Sequence, residues 1–188
     1  MNKNNPSNDN ISVKYAEAGF IAPIEVMTPK EAYNLRLDFE DAERELANQP
    51  EKQALLRSYP NRLLPSFDAL TRNPKLLDAA SAVLGPDLMV WSAALFIKEK
   101  KSKKIVSWHQ DLTYWGLDDI QETTCWFALS DASEKAGCMK FVPGTHKSKI
   151  VRHIDTFADN NLLTRGQEIA VDVNESEAVA AALQAGQA

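Results

Sequence analysis

The residues with the clearest chemical potential in this sequence are His109 and Asp111, set in the run Trp108-His109-Gln110-Asp111. Read as part of a strand, side chains alternate, so His109 and Asp111 point to one face. An imidazole nitrogen and a carboxylate oxygen side by side can each donate to one divalent metal. With a further histidine they make a two-histidine, one-carboxylate facial triad, the donor set of non-haem iron(II) sites, with three coordination positions left open. The pair alone proves little. With 3 histidines and 13 aspartates in 188 residues, a His-x-Asp arises easily by chance. Its surroundings carry more weight: Trp108, Tyr114 and Trp115 flank it, and the stretch from Asp131 to Lys147 follows. The other histidines read blandly, His146 as part of a Pro143-Gly144-Thr145-His146-Lys147 turn and His153 as a surface or structural residue. A cupin-like site built from His109, Asp111 and one of these two remains an alternative.

The elements that must position this pair fall into two halves. Residues 1–12 are polar and read as a disordered lead, with a single domain over 13–188. Thr28-Pro29 predicts a helix start, an N-cap followed by proline at the first helical position. Leu35, Phe39, Ala42 and Leu46 then recur at helical spacing to about Ala47, and Pro50 is read as the stop. Further helices are predicted over 62–70 and 74–84, the latter capped by Asn73 and stopped by Gly85. Beyond that the chain turns to β-formers. Strands are predicted over 88–97, 105–111, 123–129, 138–142 and 169–173. Helices first and short strands afterwards make an α+β protein whose second half is a β-sandwich or open barrel. The last six residues, from Leu183, resemble the approach to another strand, and a sheet stopped there would leave an open edge, so a C-terminally truncated chain is expected.

Composition narrows the function classes. Net charge is −5, which gives no electrostatic case for a nucleic-acid backbone or an anionic membrane. The lysines at 98, 100, 101, 103 and 104 read as a solvated strand end or loop. Two cysteines, Cys125 and Cys138, make no disulfide framework and read as buried thiols in a reducing compartment. The polar N-terminus lacks an apolar signal segment, and no apolar run approaches a membrane span, so a cytoplasmic enzyme is expected.

Taken together, WHQD, the aromatic pair after it, TTCWFALSDA and GCMKFVPGTHK resemble the phytanoyl-CoA dioxygenase family. The likeness covers residues 15–188 and is most specific over 108–147; Glu17-Ala18-Gly19-Phe20 also fits. It implies a double-stranded β-helix, of the jelly-roll or cupin-like kind, with N-terminal supporting helices and its last strands missing. It implies Fe(II) and 2-oxoglutarate, with O2 used to hydroxylate a small organic or acyl-CoA substrate while 2-oxoglutarate goes to succinate and CO2. His109 and Asp111 match the family's first two metal ligands. Gln110, Trp126, Ala94 and Lys98 match positions near the cosubstrate. Related halogenases have a small residue in place of the carboxylate, so Asp111 argues for hydroxylation. The family's second metal histidine and its carboxylate-clamping arginine are missing from this chain. With the triad incomplete, this chain alone is expected to be inactive. The competing readings are a non-catalytic or degenerate β-helix binding protein and the cupin-like metalloprotein.

Overall fold

The computed structural model describes residues 6–118 and 121–188. Its first half is helical: α1 (Pro6–Ala18), α2 (Pro29–Glu45), α3 (Pro50–Ser58), α4 (Pro60–Leu63), α5 (Pro65–Thr71) and α6 (Pro74–Leu84). Every one of these begins on a proline. Proline suits the first helical position because its missing N–H has no intrahelical partner there and its φ is already helical. The same rule corrects two expectations. Pro50 opens α3 rather than merely closing α2, and Pro65 splits the helix expected over 62–70 into α4 and α5. The polar lead is helical from Pro6, and residues 1–5 lie outside the described residues.

The two capped helices form as their end residues dictate. Thr28 Oγ1 accepts from the Glu31 N–H, and the Glu31 carboxylate accepts from the Thr28 N–H at 2.8 Å, a reciprocal capping box. Asn73 Oδ1 accepts from the Lys75 N–H at 2.9 Å, and Gly85, at φ 91°, ends α6. The helical core gathers Leu35 and Phe39 of α2, Leu56 of α3 and Phe67 of α5. The Phe39 and Phe67 rings meet edge to face, 6.2 Å apart.

The second half is extended chain with little regular ladder. Strand β1 (Met139–Phe141) pairs antiparallel with β4 (Val179–Ala181), and β2 (His153–Asp155) with β3 (Gln167–Ile169). The protein is therefore α+β, but the described residues form two antiparallel pairs rather than a closed double-stranded β-helix. Over 88–97, 105–111 and 123–129, where strands were expected, the described chain forms no ladder, Trp108 lies in a bend and Asp111 opens a 3₁₀ turn; the strand expected over 169–173 is observed over Gln167–Ile169. Backbone groups of the first three segments find other partners. The Leu95 N–H donates to the Arg57 carbonyl, Ile105 bridges to residues 160–162, and Ala128 exchanges hydrogen bonds with Gly186 and Gln187. Burial still alternates: Phe127 and Leu129 face the helical core, while Trp126 and Ala128 face a second cluster with Ala132 and Leu183.

The segment 179–188 ties these parts together. It pairs with β1 through β4, with Ala132 through Leu183, with Ala128 through Gly186 and Gln187, and with residues 24–27 through Gly186 and Ala188. None of the described helices is long and apolar enough to cross a membrane. Cys125 is exposed and Cys138 half-buried, both free, which corrects the expectation of buried thiols.

Leu56 is 2% exposed at the centre of the helical core. Leu56→Ala removes its packing and leaves a cavity, and it should lower the unfolding free energy by about 2–5 kcal/mol. Urea denaturation followed by circular dichroism checks this; a loss below ~1 kcal/mol would mean that the helices do not pack as described.

Candidate metal site

His109 and Asp111 converge, though not on a strand. Asp111 opens a 3₁₀ turn, Asp111–Tyr114, and His109 lies two residues before it, with Gln110 extended between them. The Nε2 atom of His109 stands 3.1 Å from Asp111 Oδ1. On its other side, His109 Nδ1 donates to the Ser107 carbonyl at 2.7 Å. A neutral imidazole carries one N–H, and that carbonyl takes it. Nε2 then presents a lone pair toward a carboxylate oxygen. Two acceptors at this distance call for a cation between them, a second proton or a metal ion. A ligating histidine whose other nitrogen donates to a backbone carbonyl is the usual arrangement around a bound metal, because that bond fixes tautomer and ring orientation. The donor pair therefore fits a divalent ion. Among the described residues no third histidine, cysteine, aspartate or glutamate joins it.

The pair is held from several directions. Ser107 is fixed by its Oγ, which donates to the Gln167 carbonyl and accepts from Asn161 Nδ2 at 2.8 Å. Asp111 Oδ2 accepts from Thr124 Oγ1 at 2.6 Å, and the same hydroxyl lies 3.3 Å from Glu122. The Tyr114 ring stands edge-on to His109 at 5.8 Å and to His153 at 6.3 Å.

These contacts set the titration. Burial lowers the affinity of His109 for a proton, but the Asp111 hydrogen bond, the Ser107 carbonyl and the Asp111 charge outweigh it and raise the imidazole above its ordinary value. Burial raises Asp111, yet the bonds from His109 and Thr124 and the imidazolium charge outweigh it and hold the carboxyl below its usual range. Burial first, then the Asp111 charge, pushes the Tyr114 phenol up to about 12 and raises Glu122.

The other expected site residues are placed as follows. Gln110 Oε1 accepts from the Val151 N–H at 2.8 Å, and its own N–H donates to His153 Nε2 at 3.0 Å. Trp126 is half-buried against the Ala128–Ala132–Leu183 cluster. Ala94 and Lys98 are exposed, on the opposite side of their segment from Leu95 and Ile97, which pack on the helical core. Lys98 Nζ donates to the Gly137 carbonyl at 2.7 Å. Neither internal histidine turns a free nitrogen to the pair: His153 Nδ1 bonds the Val151 carbonyl and its Nε2 the Gln110 N–H, while His146 Nε2 bonds the Ala16 carbonyl. Sequence reasoning missed Ser107, Tyr114 as a ring edge-on to two imidazoles, and Thr124. The Thr123-Thr124 dyad just before the Cys125-Trp126 pair was the one signal available for the last.

The chain is a member of the phytanoyl-CoA dioxygenase (PhyH) family, whose model matches residues 15–188. It is 27% identical over 121 residues to a probable alpha-ketoglutarate-dependent hypophosphite dioxygenase of Stutzerimonas stutzeri, covering 63% of this chain and 42% of that protein. It is 30% identical over 92 residues to the ectoine dioxygenase of Bordetella parapertussis, covering 47% of this chain and 30% of that one. Human peroxisomal phytanoyl-CoA dioxygenase is 32% identical over 84 residues, covering 43% and 25%. The alignments thus span less than half the length of these curated relatives. Two solved structures of the non-heme monooxygenase ThoJ superpose over 94% of this chain: the apo form at TM-score 0.80 and 30% identity, and a nickel complex at 0.73 and 27%, with 65% and 64% of those chains covered.

In the metal-free protein the His109 imidazole should titrate above its ordinary 6.5, read by NMR of its ring protons. A histidine raised on folding contributes stability that is complete below the unfolded value and lost as pH rises through the folded one. A carboxylate lowered on folding contributes stability present above its unfolded value and lost as pH falls through the folded one. The metal-free pair is therefore most stabilising between about pH 4 and 6.5. Asp111→Asn removes the carboxylate charge, so His109 should titrate lower than in the parent; an unchanged titration would mean that the two groups do not interact.

Proposed function

We propose that this chain belongs to an Fe(II)- and 2-oxoglutarate-dependent hydroxylase, with His109 and Asp111 as two of its three metal ligands and O2 and a small organic or acyl-CoA molecule as co-substrates. The observation that carries this reading is the His109 Nε2 lone pair facing Asp111 Oδ1 at 3.1 Å, with Nδ1 engaged elsewhere. Family membership supports it, as do relatives named for alpha-ketoglutarate-dependent, ectoine and phytanoyl-CoA dioxygenation and the nickel complex of a similar fold. In this reading the third ligand, a histidine, and the arginine that clamps 2-oxoglutarate come from outside residues 1–188. On the same reading, the segments 88–97, 105–110 and 123–129 stand for strands of a double-stranded β-helix.

Bound iron would couple oxidative decarboxylation of 2-oxoglutarate to succinate and CO2 with insertion of one oxygen atom into a substrate C–H bond. The chain's own groups then do the positioning. Ser107 holds His109 in the tautomer that frees Nε2. Asp111 occupies a metal position that a halide would otherwise take, which favours hydroxylation. Gln110, Trp126, Ala94 and Lys98 line the cosubstrate side. Lys98 brings a cation and, with one N–H on Gly137, two more for a carboxylate.

The test is anaerobic Fe(II) binding and 2-oxoglutarate-dependent succinate formation by the full-length protein. His109→Ala and Asp111→Ala should abolish both. Product formation at the parent rate by either variant, without added carboxylate or halide, would overturn the assignment. Trp126→Ala should raise the 2-oxoglutarate requirement about tenfold, a change of ~1.4 kcal/mol; an unchanged requirement would remove Trp126 from the cosubstrate pocket.

A further inference from the structure

The Asp111 carboxylate has two oxygens with different partners. Oδ1 faces His109, and Oδ2 is taken by the Thr124 hydroxyl at 2.6 Å, the short range of a charge-assisted hydrogen bond. Glu122 also lies within 3.3 Å of that hydroxyl, but a hydroxyl has one proton to give, and the shorter contact is to Asp111. A carboxylate free to turn can bind a divalent cation through both oxygens, and a second oxygen on the metal fills a position that a facial triad must leave open.

The threonine is itself fixed through the chain behind it. Its neighbour Thr123 shares a 2.8 Å hydrogen bond with the Tyr15 hydroxyl, on the last turn of α1. That turn is clamped in place. The Gly144 N–H donates to the Ala18 carbonyl at 2.9 Å, and His146 Nε2 bonds the Ala16 carbonyl. Gly19, at φ 85°, lies so close beneath the His146 ring that a Cβ there would collide with it. Tyr15, Thr123, Thr124 and Asp111 thus form a continuous line from the end of α1 to the candidate metal ligand.

We propose that Thr124 is a positioning residue that holds Asp111 to single-oxygen ligation through Oδ1, and that Tyr15 secures it by anchoring Thr123. This rests on the metal reading above. It also gives the Gly19–His146 contact a role, because that contact seats the helix end that carries Tyr15.

The experiment compares Thr124→Val, Thr124→Ser and Tyr15→Phe with the parent. Co(II) and Ni(II) are the probes, coordination number is read by X-ray absorption, and affinity by calorimetry. Thr124→Val should bring the second carboxylate oxygen onto the metal, raising the oxygen coordination by one, and shift affinity about tenfold. Thr124→Ser keeps the hydroxyl and should match the parent. Tyr15→Phe should shift affinity in the same direction by a smaller factor while circular dichroism shows the helices intact. Thr124 is exposed, so neither of its substitutions opens a core cavity, and Tyr15→Phe removes only a hydroxyl. A residue with only a structural role would alter melting but not coordination number. Parent-like coordination and affinity in Thr124→Val, alongside loss of binding in Asp111→Ala, would overturn this inference alone. Parent-like binding by Asp111→Ala would overturn the metal reading and this inference with it.

Discussion

A neutral imidazole has one proton to donate, and in this protein the Ser107 carbonyl receives it. Everything around His109 follows from what that leaves. The free Nε2 meets a carboxylate oxygen at 3.1 Å, an arrangement that is repulsive until a cation sits between. Without a metal the cation is a proton, and the groups shift their titration toward the charged pair. With a metal, as proposed above, the two lone pairs would serve as adjacent ligands. The scaffold holds this geometry from three separate stretches of chain. Asn161 and Gln167 fix Ser107, Thr124 fixes Asp111, and Gln110 ties the turn to Val151 and His153. Holding donors in place before the ion arrives is what a half-buried metal site requires, because bonds that must be found afterwards subtract from affinity.

The same stretches also join the two halves of the fold. Residues 126–129, just after Thr124, lie between the helical core and the second apolar cluster, with Phe127 and Leu129 on one side and Trp126 and Ala128 on the other. A segment buried on both faces cannot slip by one residue without exchanging its two sets of side chains. That constraint fixes where Thr124 sits, and so where the Asp111 carboxylate points. The segment 179–188 closes the arrangement by pairing with residues 24–27 on one side and with 128–132 and 139–141 on the other.

What the sequence disclosed depended on how local its cause is. α2 and α6 were legible to within two residues, because Thr28, Glu31, Asn73 and Gly85 act on backbone groups a few positions away. The breaks at Pro50 and Pro65 were misread, since proline is compatible with either side of a helix boundary until the next turn is known. The core-facing alternation of Leu95, Ile97, Phe127 and Leu129 was legible, but ladder formation was not, because it depends on partners tens of residues away. His109 and Asp111 were found because a spacing of two brings side chains together in a strand and also here, where extended chain passes into a 3₁₀ turn. Thr124 and Tyr15 were not found. Their partners lie 13 and 108 residues distant, and a hydroxyl carries no spacing signal of its own.

The surroundings also decide from which side the pair can be completed. Tyr114 stands edge-on to both His109 and His153. His153 is further committed through both nitrogens, and moving it would cost the Gln110 and Val151 hydrogen bonds together. His146 bonds the Ala16 carbonyl at the end of α1 and cannot leave without releasing the helix that carries Tyr15. Thr124 covers Oδ2 of Asp111. The approach that remains is from solvent, where the Asp111 side chain is 42% exposed. On the proposed reading, a third ligand and a chelating oxoacid would both enter from that side. The groups that shield the others are therefore as much a part of the site as the two that would touch the ion.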